Sequence, residues 1–293
     1  MTHVRKTRAF SPEAPTHPAT PKAMPATPTT TVPAPTMQFS FVFLDLTTSA
    51  TPSALKPAPL FGSLINALIE QLEGPFAAAW GEQCCDFRVG SSPTDRLPNE
   101  IAVNFRDTIA AQGALADHQV NNGVADIEVA VDLFTSLSTG QESLSVGVDH
   151  EILETILDRG ANGWKDRQDV SGLSDAEEAC DFVQNTNYAA TNGLSMSNFV
   201  LPSFFVPGAV APWDYLGVMT SWRDVSSGYG IVAESPTDVS QIGSMQAPVL
   251  GMRMDHRGIR VYTVGHLSEL AKARKMHPYA RHFKRGGRVK VAT

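Results

Sequence analysis

The segment Val148-Asp149-His150-Glu151-Ile152-Leu153-Glu154-Thr155-Ile156-Leu157-Asp158 joins residue types and spacing that suit metal chemistry. On a helix each residue turns by about 100°, so His150 and Glu154, four apart, stack on one face. Glu151 stands about a quarter-turn away. One imidazole and one carboxylate can then grip a single cation, while Ile152, Leu153, Ile156 and Leu157 supply an apolar flank that packs on a sheet. This is the geometry of the H-E-x-x-H zinc helix, whose intervening Glu is the general base, with the second His replaced by Glu. The same H-E-x-x-E pattern also suits a solvated amphipathic face, which would hold no metal.

The chain has 293 residues, 42% hydrophobic and 18% charged, enough to bury a sizeable core. A net charge of -7 gives no general basic field for nucleic acid. No apolar run approaches the roughly 18 residues of a membrane span, so no span is expected. Three cysteines, two of them the neighbours Cys84 and Cys85, make a poor disulfide framework and fit a reducing compartment.

Residues 1–36 are dominated by Pro, Thr and Ala, with almost nothing large and apolar to bury, and read as a disordered leader. Arg5, Lys6 and Arg8 are followed by no apolar stretch, so no signal peptide is recognised. A folded domain is expected over 37–232. It opens with a core strand, Phe39 to Asp45, and a helix carrying Leu64, Ile65, Leu68, Ile69 and Leu72. A short helical turn at Phe76 to Trp80 and strands at Asp86 to Val89 and Ile101 to Phe105 follow. His118 falls in a loop before Asp126 to Leu133, where Ile127, Val129, Val131 and Leu133 alternate as in a half-exposed edge strand. The order is β-α-β-β-β and then the H-E-x-x-E helix. Residues 233–293 read as a C-terminal extension, with a strand from Gly258 to Val264, a short helix from Leu267 to Met276 and a basic tail. Such a tail is commonly solvated, though it can touch nucleic acid or another anionic polymer.

That order, with an alternating strand just before the metal helix, resembles the zincin metallopeptidase fold. The chain is also similar to a little-characterised group of bacterial and phage proteins. The blocks that carry this likeness are Trp80-Gly81, Gly113-Ala114-Leu115 with His118 and Gly123, His150-Glu151-x-Leu153-Glu154 with Asp158, Glu178-x-Cys180-Asp181, Ser197-Asn198-Phe199-Val200-Leu201-Pro202 and Asp214-Tyr215-Leu216-Gly217. They span roughly residues 38 to 232. Asp149, Asp158-Arg159 and Ala116-Asp117-His118 stand where relatives often read Ser, Asp-Pro and Gly-Tyr-His.

The resemblance implies an α+β, zincin-like fold: a mixed sheet whose edge strand lies along the substrate, packed on the active-site helix. It implies one zinc ion held by His150, Glu154 and a third ligand from beyond the helix. Glu178, two before Cys180, is the first choice, with Asp181 and Glu177 as alternatives. Ser174 capping a helix whose first turn holds those acids would explain the cluster without metal. Glu151 is the expected general base, and His118 a group that binds or polarises the substrate. Tyr215 or Tyr229 can donate to an oxyanion, or simply pack. The function expected is hydrolysis of a peptide or protein substrate, in a cytoplasmic or virion-associated setting. A non-catalytic structural or interaction protein, associated with a phage particle, is the alternative.

Overall fold

A computed structural model describes residues 38–110, 115–121, 124–160, 163–167, 173–234, 249–254 and 260–265. The expected leader, the helix at 267–276 and the basic tail lie outside these residues.

The first strand, β1 (Gln38–Asp45), is buried on both faces because its apolar residues do not merely alternate. Phe39, Phe41 and Phe43 enter the main core, while Val42 and Leu44 pack with Ala102 on the opposite side. Helix α1 (Phe61–Gln71) buries Phe61, Leu64, Ala67, Leu68 and Gln71, the stripe expected from a 3.6-residue period. Gly74 leaves helical geometry just before Pro75, and α2 (Ala77–Trp80) then ends at Gly81, whose φ of 88° suits a residue without Cβ. Strands β2 (Cys84–Val89), β3 (Ile101–Arg106), β4 (Ala116–Asn121) and β5 (Val124–Ala130) complete the first sheet.

Its order is β2-β1-β3-β5-β4. Four strands run parallel, and β4 alone pairs antiparallel, with His118 opposite Ile127 and Asp117 opposite Glu128. Two expectations are corrected here. The alternating strand β5 is not the edge, because Ala116–Asn121 forms a further strand outside it; His118 therefore sits on the edge strand and not in a loop.

Helix α3 (Leu144–Leu157) begins at Ser143, whose side chain accepts the Val146 N–H at 3.4 Å. Every residue from Leu144 to Ile156 is buried. A helix buried on all sides belongs in a core even though it carries Asp149, His150, Glu151 and Glu154, and the reading of this segment as a solvated face is overturned by that burial. Gly147 is needed for the close approach of Phe134, whose ring atoms would lie 2.7 Å from any Cβ added there.

Beyond α3 come β6 (Trp164–Asp166), β7 (Leu173–Ala176), the short hairpin β8 (Asn187–Ala189) and β9 (Ser195–Ser197), then β10 (Tyr229–Glu234), β11 (Val249–Met254) and β12 (Arg260–Gly265). β6, β7, β10, β12 and β11 pair antiparallel into a second sheet. β10 runs across the boundary expected at 232/233, and β12 pairs with it, so the C-terminal extension continues this sheet. Ser174 is in a strand, not at a helix N-terminus; only the one-turn 3-10 segment Asp181–Val183 follows the acids. Taken together this is an α+β fold with a five-stranded mixed sheet. No helix among the described residues is long and apolar enough to cross a membrane.

Candidate metal centre

Three elements converge on one face of α3. β4 brings His118, the turn after β7 brings Glu178, Cys180 and Asp181, and α3 itself carries Asp149, His150, Glu151 and Glu154. All are buried.

The acids of α3 share one mode of attachment. Each ties one carboxylate oxygen to a main-chain N–H on a different element. Glu151 Oε2 accepts the His118 N–H of β4 at 3.0 Å, Glu154 Oε1 the Cys180 N–H at 3.1 Å, and Asp149 Oδ2 the Ser197 N–H of β9 at 2.6 Å. The second oxygens of Glu151 and Glu154 are spared. Glu151 Oε1 has no hydrogen-bond partner among the described residues, and Glu154 Oε2 makes no aligned hydrogen bond there, whereas the Asp149 carboxylate also interacts with the Gln71 side chain. The carboxylates are thus oriented by backbone that sequence substitution leaves in place.

His150 Nε2 lies 3.2 Å from Glu154 Oε2 and 3.3 Å from Asp181 Oδ1. His118 Nδ1 is 3.0 Å from Glu151 Oε2 and 3.9 Å from Glu154 Oε2, and its Nε2 is 3.9 Å from Glu178 Oε2. His150 and Glu154 therefore face each other as the i, i+4 spacing requires. Glu178, the first choice as third ligand, stands beside His118; Asp181, the alternative, is the acid beside His150. Glu177 turns away to an ion pair with Lys165 at 2.9 Å. The ligand atoms of His150, Glu154 and Cys180 all lie within 4.8 Å of one another, as do those of His118, Glu151 and Glu154, so either group could hold a cation.

Electrostatics follow from packing so many acids out of water. Burial works against charge on both histidines, yet the surrounding carboxylates outweigh it. Glu178 and Glu151 raise His118 well above the ordinary imidazole value, and Glu154 and Asp181 do the same for His150. Glu154 is pushed up to about 8 by burial, against the opposing pull of His150, and Asp149 to about 8 by burial, against the hydrogen bonds from Ser197 and Gln71. Burial also raises the Cys180 thiol. Five buried carboxylates, those of Asp149, Glu151, Glu154, Glu178 and Asp181, and two imidazoles form a site starved of positive charge, which protons or a metal ion must supply.

Of the two tyrosines singled out in the sequence, Tyr229 is fully buried and faces Asp181, whereas Tyr215 stacks on Phe199 with ring centroids 5.2 Å apart. The N–H groups of Cys180 and Ser197 are not legible in the sequence, because no side-chain pattern signals a backbone donor. Comparison with protein-family models, with curated proteins and with solved structures finds no match to this chain.

Proposed function

We propose that the chain is a zinc-dependent peptidase of zincin-like architecture, in which His150, Glu154 and Asp181 hold the ion and Glu151 is the general base. The observation that carries this reading is the pair of distances at His150. Zinc binds imidazole nitrogen and carboxylate oxygen at about 2.0–2.2 Å, which sets neighbouring tetrahedral ligand atoms about 3.3–3.5 Å apart. The separations of 3.2 Å to Glu154 and 3.3 Å to Asp181 match that edge. Glu178 yields to Asp181 as third ligand on the same grounds. The zincin-like part is supported by β4, an edge strand packed on the metal helix, where the resemblance expects the substrate to lie.

Zinc in this position would acidify a water molecule and polarise a scissile carbonyl. The rest of the chemistry falls to the chain. His118 holds Glu151 Oε2 through both its backbone N–H and its ring, which fixes the carboxylate and leaves Oε1 to take the proton from water. Glu151 then passes that proton to the leaving amine. Two carboxylates and one imidazole neutralise the ion more fully than two imidazoles and one carboxylate, so slow turnover is expected.

A non-catalytic structural or interaction protein that keeps the metal is the second reading. It is favoured by closure of the site, since His150, Glu154 and Asp181 are each 1% exposed or less, and structural zinc sites are closed. Zinc-loaded protein and its Glu151→Gln variant, incubated with a broad peptide library, separate the two. The peptidase reading expects cleavage by the parent only; zinc bound in both with cleavage by neither leaves the structural reading.

A further inference from the structure

We infer that the outer edge of β2 is a docking site for an extended basic segment of a partner protein, which adds to the first sheet as a further strand. β2 is the terminal strand on the side away from β4, so this site stands apart from the metal centre. Its inner edge pairs with β1 from Cys84 to Val89, and among the described residues no main-chain hydrogen bond reaches its outer edge. Pairing with one neighbour engages only alternate residues of a strand. The N–H and C=O groups between them point outward and can template another chain.

A groove of about 380 Å³ runs beside that edge. One wall is the unbroken run from Glu82 to Phe87; the other is helical, with Ile69 of α1 and, just beyond it, Leu72 and Glu73. Such a groove suits an added strand, whose main chain bonds to the edge while alternate side chains meet the helical wall. Phe87 turns to the helix side and stacks on Phe41 with ring centroids 5.2 Å apart, whereas Asp86, the next residue along, stands exposed on the opposite face.

Charge selects the guest. Glu73, Glu82 and Asp86 are exposed acids of the lining, and among the described residues no Lys or Arg lines the groove. Arg88, the one base of β2, is engaged by Glu100 and Asp95. A guest strand therefore fits with Lys or Arg beside these acids and an apolar side chain against Ile69 and Leu72. Acids along an open edge repel acidic strands and admit basic ones.

Fluorescence anisotropy of the full-length protein with a short labelled peptide in which Lys alternates with Val, and with the same peptide carrying Glu for Lys, tests the site. The Lys peptide should bind, more weakly as salt rises, and the Glu peptide should not. Hydrogen exchange in the complex should slow at the amides of Cys84 to Phe87, the mark of an added strand and not of a loose charge contact. The double variant Glu73→Lys, Glu82→Lys, with circular dichroism confirming the fold, should bind the Lys peptide at least about 10-fold more weakly. No binding of the Lys peptide, equal binding by the variant, or binding without protection of β2 overturns the site. Protection of the same amides that grows with protein concentration in the absence of peptide assigns the edge to a second copy of the chain and overturns the basic guest.

Discussion

His118 grips Glu151 twice: its backbone N–H and its ring Nδ1 are each 3.0 Å from Glu151 Oε2. One residue of the edge strand thereby sets the rotamer of the proposed general base, and the same bond ties β4 to α3. Substituting His118 with Asn should leave the backbone bond and remove the ring. Glu151 then keeps one anchor and loses its orientation. A drop in kcat of about 10-fold to 100-fold with little change in KM is expected. A kcat within twofold of the parent would show that the ring does not position Glu151.

The other substitution that isolates Glu151 is Glu151→Gln. It preserves shape and the anchor to His118, but an amide cannot take a proton. Zinc content should stay at the parental level, while hydrolysis falls by about 10²-fold to 10⁴-fold. Loss of zinc along with activity would make Glu151 a ligand instead of a base.

Much of this was legible in the residues, and the misses have physical causes. The Phe39, Phe41, Phe43 repeat marks β1, and the apolar spacing of Leu64 and Leu68 marks α1, because burial selects residue type directly. β4 is not legible in the sequence because Ala116–Asn121, with Asp117, His118, Gln119 and Asn121, has little of the β-branched and aromatic content of a strand. Hydrogen bonding to β5 holds it, and that partner is not visible locally. The acids from Asp175 to Asp181 looked like a helix start for the same reason: pairing of β7 with β10, more than 50 residues on, overrides a local capping pattern. Which of Glu178 and Asp181 faces His150 depends on a one-turn segment that no periodicity specifies.

Gly147 lets α3 lie against Phe134. Gly147→Ala gains up to about 1 kcal/mol of helix propensity but drives Cβ to 2.7 Å from a buried ring, and overpacking of that kind costs about 1–3 kcal/mol. The clash wins. Thermal unfolding should show a lower Tm for the variant; an unchanged or higher Tm would mean that Phe134 gives way freely.

Far from the metal centre, Glu100 accepts Arg88 Nε and Nη2 at 2.6 Å each and the Leu97 N–H at 2.7 Å. The hydrogen bonds from Arg88, reinforced by Leu97, hold its carboxyl below the ordinary glutamate value against the opposing effect of burial. A depressed folded value means stabilisation that is fully present above the unfolded value, near 4.5, and lost as pH falls through the folded one. Glu100→Gln should therefore destabilise by about 1–2 kcal/mol at pH 7, reduced by the partial exposure of Arg88, and the difference should shrink in strong acid. Denaturant unfolding of parent and variant at the two pH values measures it. A gap independent of pH would show that Glu100 acts through packing and not charge.

The central claim is that the H-E-x-x-E helix holds a metal, and metal analysis of purified protein tests it most directly. Protein produced in zinc-supplemented medium and purified without chelators should carry at least one zinc per chain. His150→Ala should lose the ion, and Glu154→Gln should bind it at least 10-fold more weakly because a neutral amide oxygen replaces a charged ligand. Parent protein free of zinc, or variants that retain it at parental affinity, would contradict the claim.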